Sequence, residues 1–423
     1  MLYIVRTKIE IQQVTPYTDN NGKTYERNEL IYIPFLAEYT AESTWANLTQ
    51  TLTVTLAKNA SYATASGKVL YLSNTTAMNS DLGGFNKVPV FMRGDIIRLY
   101  SGYIMEINGN FVTDYSLNNV FSGFISSVSP KLPFTLQCED AMWLCKQIPT
   151  PSKTWSGKTI QQIVKQIIAD GNSLDLIKRY ASYGVGLSVS DFNATNIEFN
   201  VSAIQTTRGS LAMFLGRLKN QYKVDSYFRG NELRCSLTHY IPADNVNHEF
   251  TFQKNIIDDN LTWQRRDDMQ LSVIVKSHYT EEATGSTEDG SPKTKNGSTE
   301  VLVYTHISKT TDGFEYVKKK KGEPLPDNDI GERYTLNVFA PVTDEKKLFN
   351  MGREYLKKYY YDGFKGSFTT FGIPLVKHGD TVHIVDNILT ERSGYYKVKA
   401  VEYKGGYDVG LRQTITIDYK IDG

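Results

Sequence analysis

The stretch Glu42 to Asn59, ESTWANLTQTLTVTLAKN, decides the fold. Leu52, Val54 and Leu56 alternate with Thr51, Thr53 and Thr55, the two-residue period of a strand with one face in a core and the other in water. Threonine on the outer face suits a pleated surface because its branched Cβ is well accommodated there. Such a strand needs partners, and the flanking sequence supplies them: LYIVRTKIEIQ, LIYIPFLAEYT, GDIIRLYSGYIMEI, FVTDYSL, FSGFISSVS and FTLQCED, with Asn108-Gly109 as a hairpin turn. Residues 1–149 therefore read as a run of strands that closes into a barrel or a sandwich.

The period changes after the proline-marked break IPTPSKTW. Ile160, Ile163, Val164, Ile167 and Ile168 fall on one helical face ending at Gly171, and Leu211, Phe214, Leu215, Leu218 and Tyr222 repeat the pattern. A hairpin, DSYFRGNELRCSL, completes a small α/β module over 150–245. Residues 246–423 return to strands as a second barrel. Within it a helix is expected at about 343–361, with Asp344 and Glu345 in its first turn, and a mobile polar loop at 280–300. The fold class is thus mainly β with an α+β insertion, built from two similar barrels and the module.

The similarity of the barrels rests on strand order. RGDIIRLYSG, SGFISSVS and FTLQCED follow one another in the first, and HGDTVHIVDN, SGYYKVKAVEYK and TITIDYK in the last. The Gly94-Asp95 and Gly379-Asp380 dipeptides each sit at a strand entry, where a carboxylate can accept backbone hydrogen bonds and hold a turn.

Composition narrows the chemistry. Forty-seven basic against 46 acidic residues give a net charge of +1, so the chain as a whole has no electrostatic reason to seek nucleic acid or an anionic membrane. Cys138, Cys145 and Cys235 form neither a disulfide framework nor a zinc-type pair. The N-terminus lacks the features of a signal peptide, and no apolar run reaches the roughly 20 residues of a membrane helix, so a soluble protein made in a cytoplasm is expected. The six histidines show no metal-ligand spacing, and His383 reads as an outward strand residue. Neither a nucleophile elbow nor a phosphate loop occurs. Lys318 to Lys321 reads as a solvated loop beside GEPLPDND, with phosphate contact as the sharper alternative. No catalytic residue, metal or cofactor is expected, although plentiful carboxylates leave a glycosidase-type pair open.

In combination, ESTWANLTQTLTVTLAKN, FMRGDIIRLYSGY and FSGFISSVSPKLPFTLQCEDAMWLCKQ resemble the first barrel of tail hub proteins from bacteriophages and phage-like injection systems, especially those of Bacteroides-type hosts. MGREYLKKYYYDGFKGSFTTFG before LVKHGDTVHIVDN is similar to the second half of such hubs. The resemblance implies a non-enzymatic homotrimer in the virion tail baseplate, assembled in the host bacterial cytoplasm. Its two barrels per chain would make a pseudo-sixfold ring between the tail tube protein above and the threefold spike below. Other baseplate proteins would surround it, DNA or a tape-measure protein would pass through without specific binding, and there would be no membrane insertion. Any spike or lytic domain is then expected on another chain. Trp45 would anchor packing at a strand entry, and Gly94, Asp95, Gly379 and Asp380 would be barrel turns. The alternatives are a tail-associated glycan or peptidoglycan hydrolase or carbohydrate-binding β-protein, and a distal-tail adaptor of a non-contractile tail.

Overall fold

The computed structural model describes residues 3–421 except 58–59, 68, 72–77, 80–87, 108–109, 113–117, 130–132, 156–157, 191–203, 223, 238–246, 287–291, 306–312, 320–331 and 339–343. The expected turn at Asn108-Gly109 and the lysines Lys320 and Lys321 lie outside the described residues.

The first barrel contains β1 (Tyr3–Gln12), β2 (Leu30–Ile33), β3 (Glu38–Thr44), β4 (Thr51–Thr55), β5 (Ser61–Thr64), β6 (Val69–Tyr71), β7 (Ile96–Ile107), β8 (Asn118–Val128) and β9 (Thr135–Glu139). Their order in the sheet is β3-β4-β9-β8-β7-β1-β2-β5-β6. The opening stretch is the β3–β4 corner: Leu52, Val54 and Leu56 are buried, and Thr51 and Thr53 are exposed. A short helix, α1 (Met142–Gln147), then leads into the module.

In the module, α2 (Ile160–Gly171) starts at Thr159, whose hydroxyl accepts the Gln162 N–H while the Gln162 side chain accepts the Thr159 N–H. This reciprocal cap satisfies two otherwise orphaned donors. The Ile160, Ile163, Val164, Ile167 and Ile168 face is buried. Helices α3 (Asp175–Ser182) and α4 (Leu211–Tyr222) and the hairpin β10 (Val224–Arg229) and β11 (Glu232–Leu237) complete the layer.

The second barrel is β12 (Asn247–Thr251), β13 (Ile256–Asp259) and, after an interruption, β20 (Ser367–Thr370), β21 (Thr381–Val385), β22 (Gly394–Gly406) and β23 (Gly410–Ile421). The interruption was not read from the sequence. A neck of β14 (Thr262–Gln264) paired with β19 (Gly363–Lys365) carries a four-stranded sheet of β15 (Leu271–Ser286), β16 (Pro292–Thr305), β17 (Phe314–Lys319) and β18 (Glu332–Val338). Helix α5 (Glu345–Lys357) crosses that sheet. It begins one residue after Asp344, whose carboxylate caps the Lys346 N–H, and is shorter than the helix expected at about 343–361.

The expected mobile loop at 280–300 is a correction. Residues 280–286 and 292–300 are the outer arms of the β15–β16 hairpin, paired from Thr280 opposite Asn296 to Ser286 opposite Pro292. The absence of apolar residues misled the reading, because these arms continue a ladder started by Val273, Val275, Val301 and Val303 in the core and take their order from backbone pairing.

One apolar core runs through both barrels, from Ile9 and Val54 to Val398 and Ile415. A second core joins the module to the inserted sheet and α5, and reaches the first barrel at Val14, Ile96 and Phe124. Gly352 sets the approach of α5 to its sheet. A Cβ there would lie 2.6 Å from a Val303 methyl and 2.9 Å from one of Val275. Gly352→Val should therefore lower stability by about 1–3 kcal/mol through overpacking, read as a fall in the denaturation midpoint. A control, Gly216→Ala on α4, is half-buried but has open space at its Cβ and should not lose stability.

Candidate functional site: twin aspartate clasps and the seam between barrels

Gly94 and Gly379 occupy the same place in the two barrels. Each precedes the strand that pairs antiparallel with a long neighbour, β7 with β8 and β21 with β22. Both have positive φ, +93° and +87°, a conformation that favours glycine. The hydrogen bonds then match one for one. The Gly94 N–H donates to the Ile125 carbonyl and the Ile125 N–H to the Asp95 carbonyl, at 2.8 and 2.9 Å; the Gly379 N–H donates to Val398 and the Val398 N–H to Asp380, both at 2.9 Å. The Asp95 N–H donates to Met92 O and the Asp380 N–H to Lys377 O, each at 3.1 Å. In return the Met92 N–H donates to Asp95 Oδ2 at 2.8 Å and the Lys377 N–H to Asp380 Oδ2 at 2.7 Å.

Each carboxylate is closed by an arginine from a distant segment. Arg27 donates from Nη1 to Asp95 Oδ1 at 3.0 Å and from Nη2 to Oδ2 at 2.7 Å. Its remaining three N–H groups reach the carbonyls of Thr15, Pro89 and Val90. All five guanidinium donors are thereby used, and both side chains are buried. In the second clasp Arg229, from the module hairpin, donates to Asp380 Oδ1 at 2.8 Å and to the His378 carbonyl at 2.9 Å, and His248 Nε2 lies 3.1 Å from Asp380 Oδ2. Burial pushes the Asp380 carboxyl up, but the bonds from His248, Lys377 and Arg229 outweigh it and leave it below the usual carboxylate range.

The arginines were invisible in the sequence, lying 68 and 151 positions from their aspartates with no local motif. Of the two histidines that flank the second turn, His383 is a half-exposed strand residue stacked on Tyr395 at 4.2 Å. His378 is buried, with its Nδ1 2.6 Å from Ser43 Oγ of the first barrel.

That contact lies on the seam. β3 pairs with the second half of β22 over seven positions, from Thr44 opposite Ala400 to Glu38 opposite Gly406, so a single hydrogen-bonded sheet runs from one barrel into the other. Trp45 follows directly. It is buried against Tyr227 of the module, with the Lys358 ammonium 4.6 Å from its ring centre. Beside the seam is a cavity of about 60 Å³, lined by Ser43, Gln50, Asp140, Arg229 and His378 among others. Trp45 and the Gly379-Asp380 turn thus lie beside the seam, the latter through His378, whereas Gly94-Asp95 is held by the N-terminal segment of its own barrel and by the Tyr180 hydroxyl of the module, which donates to the Gly94 carbonyl at 2.9 Å. Among the described residues no three His, Cys, Asp or Glu side chains are placed to hold a metal ion. The three cysteines are buried free thiols.

The chain is similar to solved tail proteins. A tail protein from Neisseria meningitidis aligns over 100% of this chain and 97% of its own, at 13% identity and a TM-score of 0.48. The 43 kDa tail protein of prophage MuSo2 from Shewanella oneidensis aligns over 97% and 96%, at 12% identity and a TM-score of 0.48. Prophage tail protein gp18 from Listeria monocytogenes aligns over 97% and 94%, at 9% identity and a TM-score of 0.43. No family model and no curated protein matches this sequence. With TM-scores below 0.5 these remain likenesses, and the functional reading rests on the chain's own geometry.

Two measurements check the electrostatics. Arg27→Met strands a buried carboxylate and should cost about 3–5 kcal/mol, whereas Arg27→Met with Asp95→Leu should recover much of that loss. The second concerns pH. Burial pushes the Asp140 carboxyl up to about 7, so between about pH 4 and 7 the folded state holds a proton that the unfolded chain has released, and stability falls as pH rises. Burial and the neighbouring Arg229 push the His378 imidazole down to about 3. Between about pH 3 and 6.5 the unfolded chain holds the proton instead, and stability rises with pH. Each slope approaches about 1.4 kcal/mol per pH unit. Denaturation between about pH 4.5 and 6.5 should show Asp140→Asn gaining stability with pH more steeply than the parent, and His378→Gln losing it.

Proposed function

We propose that the chain is a structural baseplate hub of a phage tail or phage-like injection system, working as a homotrimer whose six barrels surround one axis. The carrying observation is the repeat: two barrels of one chain hold the same turn with the same four backbone and side-chain hydrogen bonds, entering equivalent strands. A chain with two equivalent barrels can meet sixfold neighbours on one side while its single-copy parts, the module and the inserted sheet, meet threefold neighbours on the other. This is the geometry needed between a tail tube and a spike. The resemblance of ESTWANLTQTLTVTLAKN and FMRGDIIRLYSGY to hub barrels supports the same reading.

The role is mechanical and not catalytic. The Gly-Asp turns are tied up in backbone hydrogen bonds, which suits load-bearing turns and leaves no free carboxylate pair at either. DNA or a tape-measure protein would pass through the lumen without base-specific contact, as expected where no base-reading constellation is needed.

A particle reconstruction tests this. Three copies of the chain per baseplate, with the barrels forming the ring and the module outside it, is the expected result. One, two or six copies, or turnover of peptidoglycan by the purified chain that is lost on changing a carboxylate pair, would overturn it.

A further inference from the structure

Among the described residues the repeat leaves one edge of each barrel without its counterpart. Ladder positions fix the correspondence. In the first barrel Leu136 of β9 lies opposite Val128 of β8 and Val54 of β4, and Val54 lies opposite Tyr39 of β3. In the second, Ile415 of β23 lies opposite Val401 of β22 and Phe368 of β20, and Phe368 lies opposite Asp259 of β13. Val128 therefore corresponds to Val401, and Tyr39 to Asp259.

Within the chain these places are joined. Past its clasp at Val398, β22 uses its free edge to pair with β3, setting Val401 opposite Ser43 and Ala400 opposite Thr44. Among the described residues the corresponding ladder positions show no backbone pairing. Past its clasp at Ile125, β8 has none on the β7 side among those residues; Ser127 is exposed and Val128 half-buried, and Ser129 gives its N–H to the Thr135 carbonyl on the β9 side. On the other barrel β13 and the neck strand β14 each pair on one side only among the described residues, and Ile257, Asp258, Asp259 and Thr262 are exposed.

Among its described residues the chain thus carries two complementary unpaired edges, related to each other as the two halves of a contact it already makes internally. From this we infer that the β13–β14 edge receives the end of β8 from a second copy of the same chain, antiparallel, in the register of the internal seam. Ser43 lies four residues past Tyr39, and Trp263 four past Asp259, so Val128 falls opposite Trp263, Ser127 opposite Gln264 and Ser129 opposite Thr262. Such a contact is head-to-tail, and repeated with a closing rotation it makes a ring. It also covers edges that would otherwise invite uncontrolled pairing.

The seam between copies must be the shorter one. β22 runs on to Gly406, whereas the sequence after Ser129 is Pro130-Lys131-Leu132-Pro133, and proline has no N–H to give to a ladder. Seven opposed positions inside the chain thus have three counterparts between copies before the first proline. Covalently linked barrels would hold by a long ladder, and separable copies by a short one.

This inference rests on the hub reading for the number of copies, and crosslinking separates the two. Two full-length double variants are made, Ser127→Cys with Gln264→Cys and Ser129→Cys with Thr262→Cys. Both are oxidised and run under denaturing, non-reducing conditions, and the parent chain is sized by light scattering. The native thiols are buried, so exposed Met213→Cys on α4 serves as a collision control. Disulfide-linked multimers ending at three copies, from at least one pair and absent from each single variant and the control, are expected. A parent that assembles as three copies while neither pair links beyond the control overturns the edge and leaves the hub. Linked multimers that continue past three copies overturn the trimeric hub and keep the edge, and a parent that stays monomeric with no linking overturns both.

Discussion

A carboxylate taken out of water must be met by enough donors to replace its hydration, and both barrels are arranged around that requirement. Asp95 accepts from two backbone N–H groups, those of Val14 and Met92, and from two guanidinium nitrogens. To supply them, the N-terminal segment that carries Val14 and Arg27 must fold over the strand entry, which closes the barrel on that side. Asp380 draws instead on Arg229 and His248, so its satisfaction ties β12 to the strand entry of its own barrel and pulls the module hairpin onto that barrel. The same turn in two places thus dictates different long-range contacts: the second turn takes its arginine from the module, and the first meets the module where the Tyr180 hydroxyl donates to the Gly94 carbonyl.

Legibility followed the range of the interaction. Period-two runs such as LTVTL and the Ile160 to Ile168 face of α2 declared themselves because backbone geometry and burial act within a few residues. The capping residue Asp344 was equally local. The repeat was legible as an order of strands around two Gly-Asp turns, since order survives where identity does not. What escaped was decided by distant partners. No sequence signal tied Arg27 or Arg229 to its aspartate. The inserted sheet was hidden because its valines at 273, 275, 301 and 303 looked like more barrel strand, and its outer arms looked like a loop because ladder hydrogen bonds leave no trace in hydropathy.

The buried polar groups along the seam differ in kind from the clasps. His378 and Asp140 both line the same small cavity, with proton affinities displaced in opposite senses by burial. Both are held neutral over a shared pH range, as low-dielectric surroundings demand of groups without a countercharge. Polar contact here, such as Ser43 with His378, fixes how the barrels meet, while the continuous apolar core supplies the greater part of their cohesion.

The position of the inserted sheet has a consequence for descent. In the first barrel the corner between β3 and β4 is the short turn Trp45 to Gln50; at the matching corner of the second, the chain leaves at Thr262 and returns at Lys365, directly opposite each other across the neck. Excursion and return at neighbouring points make the intervening segment a graft: it can differ without breaking the ladder of the barrel beneath, provided that whatever replaces it still covers the apolar face it shares with the module. One corner is bare and the other is a socket. Relatives of this chain can therefore differ by entire domains at this point while keeping the ladder that surrounds it.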